Sequence, residues 1–162
     1  MTTASKITLV RVVMIPAYLV TMYLSQGQAN LWMYLSLAIF IIASLTDFGK
    51  FADPLADKML TTAALLWFVE CGQMPAWALL VVLIREFAVS GLRMIASDKG
   101  RVIAAGWSGK VKTASTMVCI ILMFLPIPAA VNTLCVAVIV LTTIYSGVEY
   151  FMKNLDVLSE VK

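Results

Sequence analysis

Long apolar runs alternate with short polar stretches and divide the chain into six apolar segments, at roughly 7–25, 31–46, 54–71, 75–95, 112–128 and 131–150. Most approach the ~20 residues that a helix needs to cross a bilayer. The pattern therefore predicts an all-α fold, an integral membrane bundle of six transmembrane helices forming a single domain over residues 1–162. The connections at 26–30, 72–74 and 128–132 carry no lysine or arginine, whereas every basic residue except Arg85 falls at the opposite ends of the segments. Positively charged loops are held on the cytoplasmic side, which places both termini and both charged loops there. A multi-pass protein of the cell (inner or plasma) membrane is the expectation. The run over 7–24 contains no small-residue cleavage site and reads as a first span rather than a cleaved leader. The segment at 31–46 is short, about 24 Å of helix against a hydrocarbon core of about 30 Å.

Composition strengthens the membrane assignment and narrows the chemistry. With 62% hydrophobic and 13% charged residues, the chain has too little polar surface for a soluble domain of 162 residues. Membrane lipids, and no nucleic acid, are the surroundings expected. Histidine is absent, which removes Ser-His-Asp triads, histidine acid/base schemes and imidazole metal sites. Chemistry falls to carboxylates, lysine, arginine and hydroxyls. Cys71, Cys119 and Cys135 sit in or beside apolar runs without metal-like or redox-like spacing, and read as small buried hydrophobes.

Residues 47–59 read D-F-G-K-F-A-D-P-L-A-D-K-M and gather three carboxylates and two lysines against apolar spans. Ionisable groups near membrane depth are costly, so such a cluster is a functional-site candidate. Pro54 suits the first turn of a helix, which makes Gly49, Asp53 and Asp57 a ladder at i, i+4 and i+8 near one face. The carboxylates of Asp47, Asp53 and Asp57 are hard donors suited to Mg²⁺ (or Mn²⁺), or to Ca²⁺, and Mg²⁺ is commonly completed by substrate phosphates. A remaining carboxylate could take a proton from an attacking hydroxyl. The structural alternative is that these aspartates cap a helix and balance Lys50 and Lys58.

The fourth segment contains V-L-I-R-E-F-A-V-S-G-L-R, which puts Arg85 and Glu86 about 15 Å along a helix starting near Pro75. They should face a polar cavity or each other. Arg85, Arg93, Lys110 and Lys112 are candidate phosphate ligands, the last two beside glycines that permit close backbone approach. Lys99 and Arg101 read instead as a basic patch for anionic headgroups. Near the end of the last segment, Glu149 and the tyrosines at 145 and 150 read as a helix end and interfacial belt.

The run G-K-F-A-D-P-L-A-D-K resembles the second half of the signature of the CDP-alcohol phosphatidyltransferase family, D-x2-D-G-x2-A-R followed by a spacer and G-x3-D-x3-D. R-E-F-A-V-S-G-L-R, the downstream G-R-V-I-A-A and G-K-V-K-T runs and the terminal S-G-V-E-Y are similar to its phosphatidylglycerophosphate synthase branch. The resemblance implies a six-helix, homodimeric membrane enzyme whose site faces the cytoplasm. It implies the substrates CDP-diacylglycerol and glycerol 3-phosphate, with CMP released in phospholipid biosynthesis. It also implies metal binding by Asp47, Asp53 and Asp57 and a general-base role for Asp57. Gly49 and Thr8 fall on the CDP side, and Arg11 among the substrate ligands.

One departure is plain. Asp47 matches the first aspartate of the signature but runs straight into F-G-K, so the second aspartate, its glycine and the Ala-Arg pair have no counterpart. Ser5 also stands where the family has asparagine. The alternatives are then an impaired or inactive family member that binds lipid or partner subunits, and a small transporter with an intramembrane Asp/Arg pathway.

Overall fold

The computed structural model describes residues 16–25, 31–45, 54–98, 100, 103 and 106–155, and only the backbone of 43–45 and 54–57. Among these residues the protein is all-helical: α1 over 16–25, α2 Leu31–Leu45, α3 Pro54–Glu70, α4 Ala76–Asp98, α5 Trp107–Met123 and α6 Ala129–Lys153.

Local chemistry explains the boundaries. Pro54 opens α3, as its fixed φ and missing N–H favour. The same helix ends in a Schellman turn, with Gly72 at φ 72°, its N–H donating to the Val69 carbonyl at 3.1 Å and Gln73 N–H to the Phe68 carbonyl at 2.8 Å. The fifth helix is displaced from its expected range, starting at Trp107 and stopping at Met123. Gly106 accepts the Lys110 N–H at 3.3 Å, so the turn forms ahead of the apolar run. Pro126 and Pro128 disfavour helix in the residues before them.

Two compact units result, Met1–Gln73 with Ile120–Pro128, and Met74–Cys119 with Ala129–Lys162. Four fully buried rings centre the first unit. Phe124 lies edge-on to Phe68 at 5.1 Å and to Tyr18 at 6.2 Å, while Phe40 is 6.1 Å from both Tyr18 and Phe124. Beside them Ser36 Oγ donates to Thr21 Oγ1 at 2.9 Å, joining α1 to α2 by a buried hydroxyl pair.

In the second unit α4 packs on α6 through Val89, Leu92, Ala96 and Tyr150, with Ile95, Ile103 and Phe151 around them. Hydroxyls lie inside with this apolar core, while large apolar side chains also face outward. Thr143 and Ser146 are 0% and 1% exposed, whereas Phe87, Met94 and Leu141 are 73%, 68% and 66% exposed. So much exposed apolar surface is disfavoured in water, and a lipid surround accounts for it. Among the described residues, α6 is long and apolar enough to cross a membrane.

Candidate functional site

The site begins with the cost of Arg85 and Glu86 partway along α4. Their side chains are 14% and 16% exposed, and Lys112 on α5 is 8% exposed, so all three are largely withdrawn from solvent. Lys112 Nζ donates to Glu86 Oε1 at 2.6 Å and Arg85 Nη1 donates to the same oxygen at 3.1 Å. The two cations therefore lie within about 6 Å of each other, where their repulsion at an effective dielectric near 20 is about 3 kcal/mol. The shared carboxylate offsets that repulsion and leaves the cluster with one net positive charge.

Arg85 is held along its whole length. Its Nε donates to Ser146 Oγ on α6 at 3.1 Å. A Cβ at Gly147 would meet Arg85 Cγ at 3.2 Å, and one at Gly109 would meet Nη2 at 3.6 Å, so the side chain runs in a slot walled by glycines of α5 and α6. Ser90 Oγ closes back on the Glu86 carbonyl at 2.7 Å, and Arg93, just under one turn further on, completes the face. Arg93 is exposed, its Nε donating to Tyr150 Oη at 3.0 Å and its guanidinium carbon 5.5 Å from the centre of that ring. Among the described residues, Arg85 Nη2 and two of the three Lys112 donors make no other hydrogen bond. Oriented donors on a desolvated, net-positive cluster suit an oxyanion such as phosphate.

The spans most similar to known sequences include this cluster. A family model described as CDP-alcohol phosphatidyltransferase matches residues 44–145. The chain belongs to the CDP-alcohol phosphatidyltransferase family.

Relatives within the CDP-alcohol phosphatidyltransferases agree. The chain is 38% identical to the CDP-diacylglycerol–glycerol-3-phosphate 3-phosphatidyltransferase of Bacillus subtilis (strain 168), over 95% of each chain. It is 34% identical to a probable phosphatidylglycerophosphate synthase of Mycobacterium tuberculosis (strain H37Rv), over 94% of this chain and 81% of that one. A Salmonella typhimurium CDP-diacylglycerol–glycerol-3-phosphate 3-phosphatidyltransferase is 34% identical, over 69% of this chain and 70% of its own. The Bacillus alignment runs over 186 positions, more than the 162 residues here, so that relative carries residues with no counterpart in this chain. This accords with the shortened signature.

Of the candidates named from sequence in this family member, Arg85 and Lys112 come together. Arg93 sits two turns beyond Arg85 on α4. Lys110 is exposed, about 200° round α5 from Lys112. Asp57 lies in the first turn of α3, known by its backbone alone. Thr8, Arg11, Asp47, Gly49 and Asp53 lie outside the described residues, as do Lys99 and Arg101. No group of three or more metal-ligating side chains occurs among the described residues. Sequence reasoning missed the bridging by Glu86 and the acceptors Ser146 and Tyr150. The signal for the acceptors was present in S-G-V-E-Y, where Tyr145 is exposed as an interfacial residue should be, but Tyr150 is 6% exposed and engages Arg93.

Proposed function

We propose that the chain is a six-span membrane phosphatidyltransferase, both termini cytoplasmic. It would transfer the phosphatidyl group of CDP-diacylglycerol to glycerol 3-phosphate, releasing CMP and forming phosphatidylglycerophosphate. The observation that carries this reading is the Lys112–Glu86–Arg85 cluster, a desolvated net-positive site with unused donors in a family of phosphatidyl transferases. The names of the relatives support the choice of substrates.

Arg85, Arg93 and Lys112, together with Arg11, hold the phosphate of the acceptor and leave its hydroxyl to react, while Lys110, exposed on another face of α5, meets the substrate from outside this cluster. That hydroxyl oxygen bonds to the phosphorus carrying diacylglycerol, the bond from that phosphorus to the CMP oxygen breaks, and CMP departs with the electron pair. The hydroxyl proton passes to Asp57, a base suited to the role only while ionised. Gly49 and Thr8 lie along the CDP moiety. Asp47, Asp53 and Asp57 form an all-oxygen donor set that fits Mg²⁺ (or Mn²⁺), and a bound ion would neutralise charge on the diphosphate. The site opens to the cytoplasm of the inner or plasma membrane, and the protein acts as a homodimer in this reading.

A second reading, a family member with impaired turnover that keeps lipid binding, is favoured only by the absent Asp-Gly-x2-Ala-Arg segment. One assay separates them. Purified protein in lipid nanodiscs, given Mg²⁺, CDP-diacylglycerol and glycerol 3-phosphate, should release CMP, and Asp57→Asn should abolish release. Retained binding of CDP-diacylglycerol without CMP release in the unmodified chain would instead select the second reading.

A further inference from the structure

We infer that Ser146, Gly147 and Tyr150 of α6 form a positioning platform for the two arginines of α4, and that this platform sets the preference for a phosphorylated acceptor over a neutral alcohol. The inference rests on the phosphate-binding reading of the site.

Both arginines are gripped at the same atom. Ser146 Oγ accepts from Arg85 Nε at 3.1 Å and Tyr150 Oη accepts from Arg93 Nε at 3.0 Å. The arginines are rooted eight residues apart on α4, about 12 Å along its axis, while their acceptors are four residues apart on α6, about 6 Å. One turn of α6 thus serves two turns of α4. Holding a guanidinium by Nε leaves its Nη edge to meet a ligand.

The chemistry of the acceptors matters as much as their placement. A carboxylate would fix an arginine equally well but cancel its charge. A hydroxyl fixes it and leaves the charge whole, so these two positions orient cations without weakening their pull on a phosphate. The only carboxylate bound to the pair among the described residues is Glu86, on Arg85. Platform rigidity comes from burial, since Ser146 is 1% exposed and Tyr150 is wedged against Val89, Leu92 and Ala96. Gly147 supplies clearance, because a Cβ there would stand 3.2 Å from Arg85 Cγ. Glu86 offsets part of the charge at Arg85, but with Lys112 beside it and Arg93 bound by a hydroxyl, the fixed pair keeps a net positive pull that gains most from a dianionic ligand and little from an uncharged polyol.

The test uses full-length protein in nanodiscs. Ser146→Ala and Tyr150→Phe remove one hydroxyl each and keep the packing. Each should raise KM for glycerol 3-phosphate about tenfold, with kcat and KM for CDP-diacylglycerol within about twofold of the parent. Arginine Nε–H signals in ¹⁵N spectra give a readout that needs no turnover. Arg85 and Arg93 should give two slowly exchanging signals, one lost in each variant, and inorganic phosphate should shift both in the parent protein. Unchanged KM for glycerol 3-phosphate in both variants, or a parallel rise for both substrates, would overturn the inference. So would phosphate that shifts neither signal. Absence of CMP release from the parent protein would count against the transferase reading alone, and the phosphate titration would then decide the platform.

Discussion

Lys112 Nζ and Glu86 Oε1 are 2.6 Å apart, and the same oxygen takes Arg85 Nη1 at 3.1 Å, so one carboxylate from α4 joins a lysine of α5 to its own sequence neighbour. Such a bridge is costly to break from one side, since the remaining charges stay buried. Glu86→Ala should destabilise the protein by about 3 kcal/mol, read as a lower thermal unfolding midpoint in nanodiscs. Adding Lys112→Met to Glu86→Ala should recover part of the loss, because a buried charge is then removed with its partner. A double variant no more stable than Glu86→Ala would show that the pair is not energetically coupled.

Gly147 predicts a functional effect without loss of fold. In Gly147→Ala the new methyl meets Arg85 Cγ at 3.2 Å, and the arginine can give by a few tenths of an ångström only by straining its bond to Ser146. KM for glycerol 3-phosphate should rise by about fivefold in the CMP-release assay, with the unfolding midpoint nearly unchanged. Parent-like kinetics would show that Arg85 is not confined there.

Two glycines with open space around them should respond with opposite sign. Gly72 has φ 72°, so Gly72→Ala places a side chain in the left-handed region and should cost about 1 kcal/mol. Gly91 lies within α4 with nothing within 4 Å of a new Cβ, and Gly91→Ala should stabilise by about 0.5–1 kcal/mol. Thermal unfolding of the two variants side by side checks the contrast.

Topology can be read from a native thiol. Cys71 lies in the turn after α3 on the side that carries no basic residues, whereas Cys119 and Cys135 are buried. A membrane-impermeant maleimide applied to intact cells should label Cys71 and leave the other two unmodified. Burial, and then the Glu70 carboxylate beside it, push the Cys71 thiol above its ordinary pKa. The reactive thiolate is therefore scarce at neutral pH, and labelling should quicken as pH rises toward and past the ordinary thiol range. Glu70→Gln should hasten it at fixed pH. Labelling only after the membrane is opened would reverse the proposed orientation.

Much of the architecture was legible because it follows from local rules. Apolar run length set the helices, Pro54 set the start of α3, and the placement of lysine and arginine set the expected sidedness. The shift of α5 to Trp107–Met123 was not, because hydropathy alone does not see a turn nucleated ahead of an apolar run or the helix-breaking effect of Pro126 and Pro128. Arg85 could be singled out from its cost in lipid, but the identity of its partners could not, since Ser146 lies 61 residues away in sequence.

The order of residues by itself determined the helical class, the family and the electrically costly positions, because hydropathy, helix breaking and the penalty on buried charge act over a few turns of chain. Tertiary packing alone decided that Glu86 joins Lys112 to Arg85 and that Tyr150 turns inward to Arg93 rather than outward to an interface. Those pairings depend on which faces of α4, α5 and α6 meet, and helix faces separated by dozens of residues acquire neighbours only when the chain is folded.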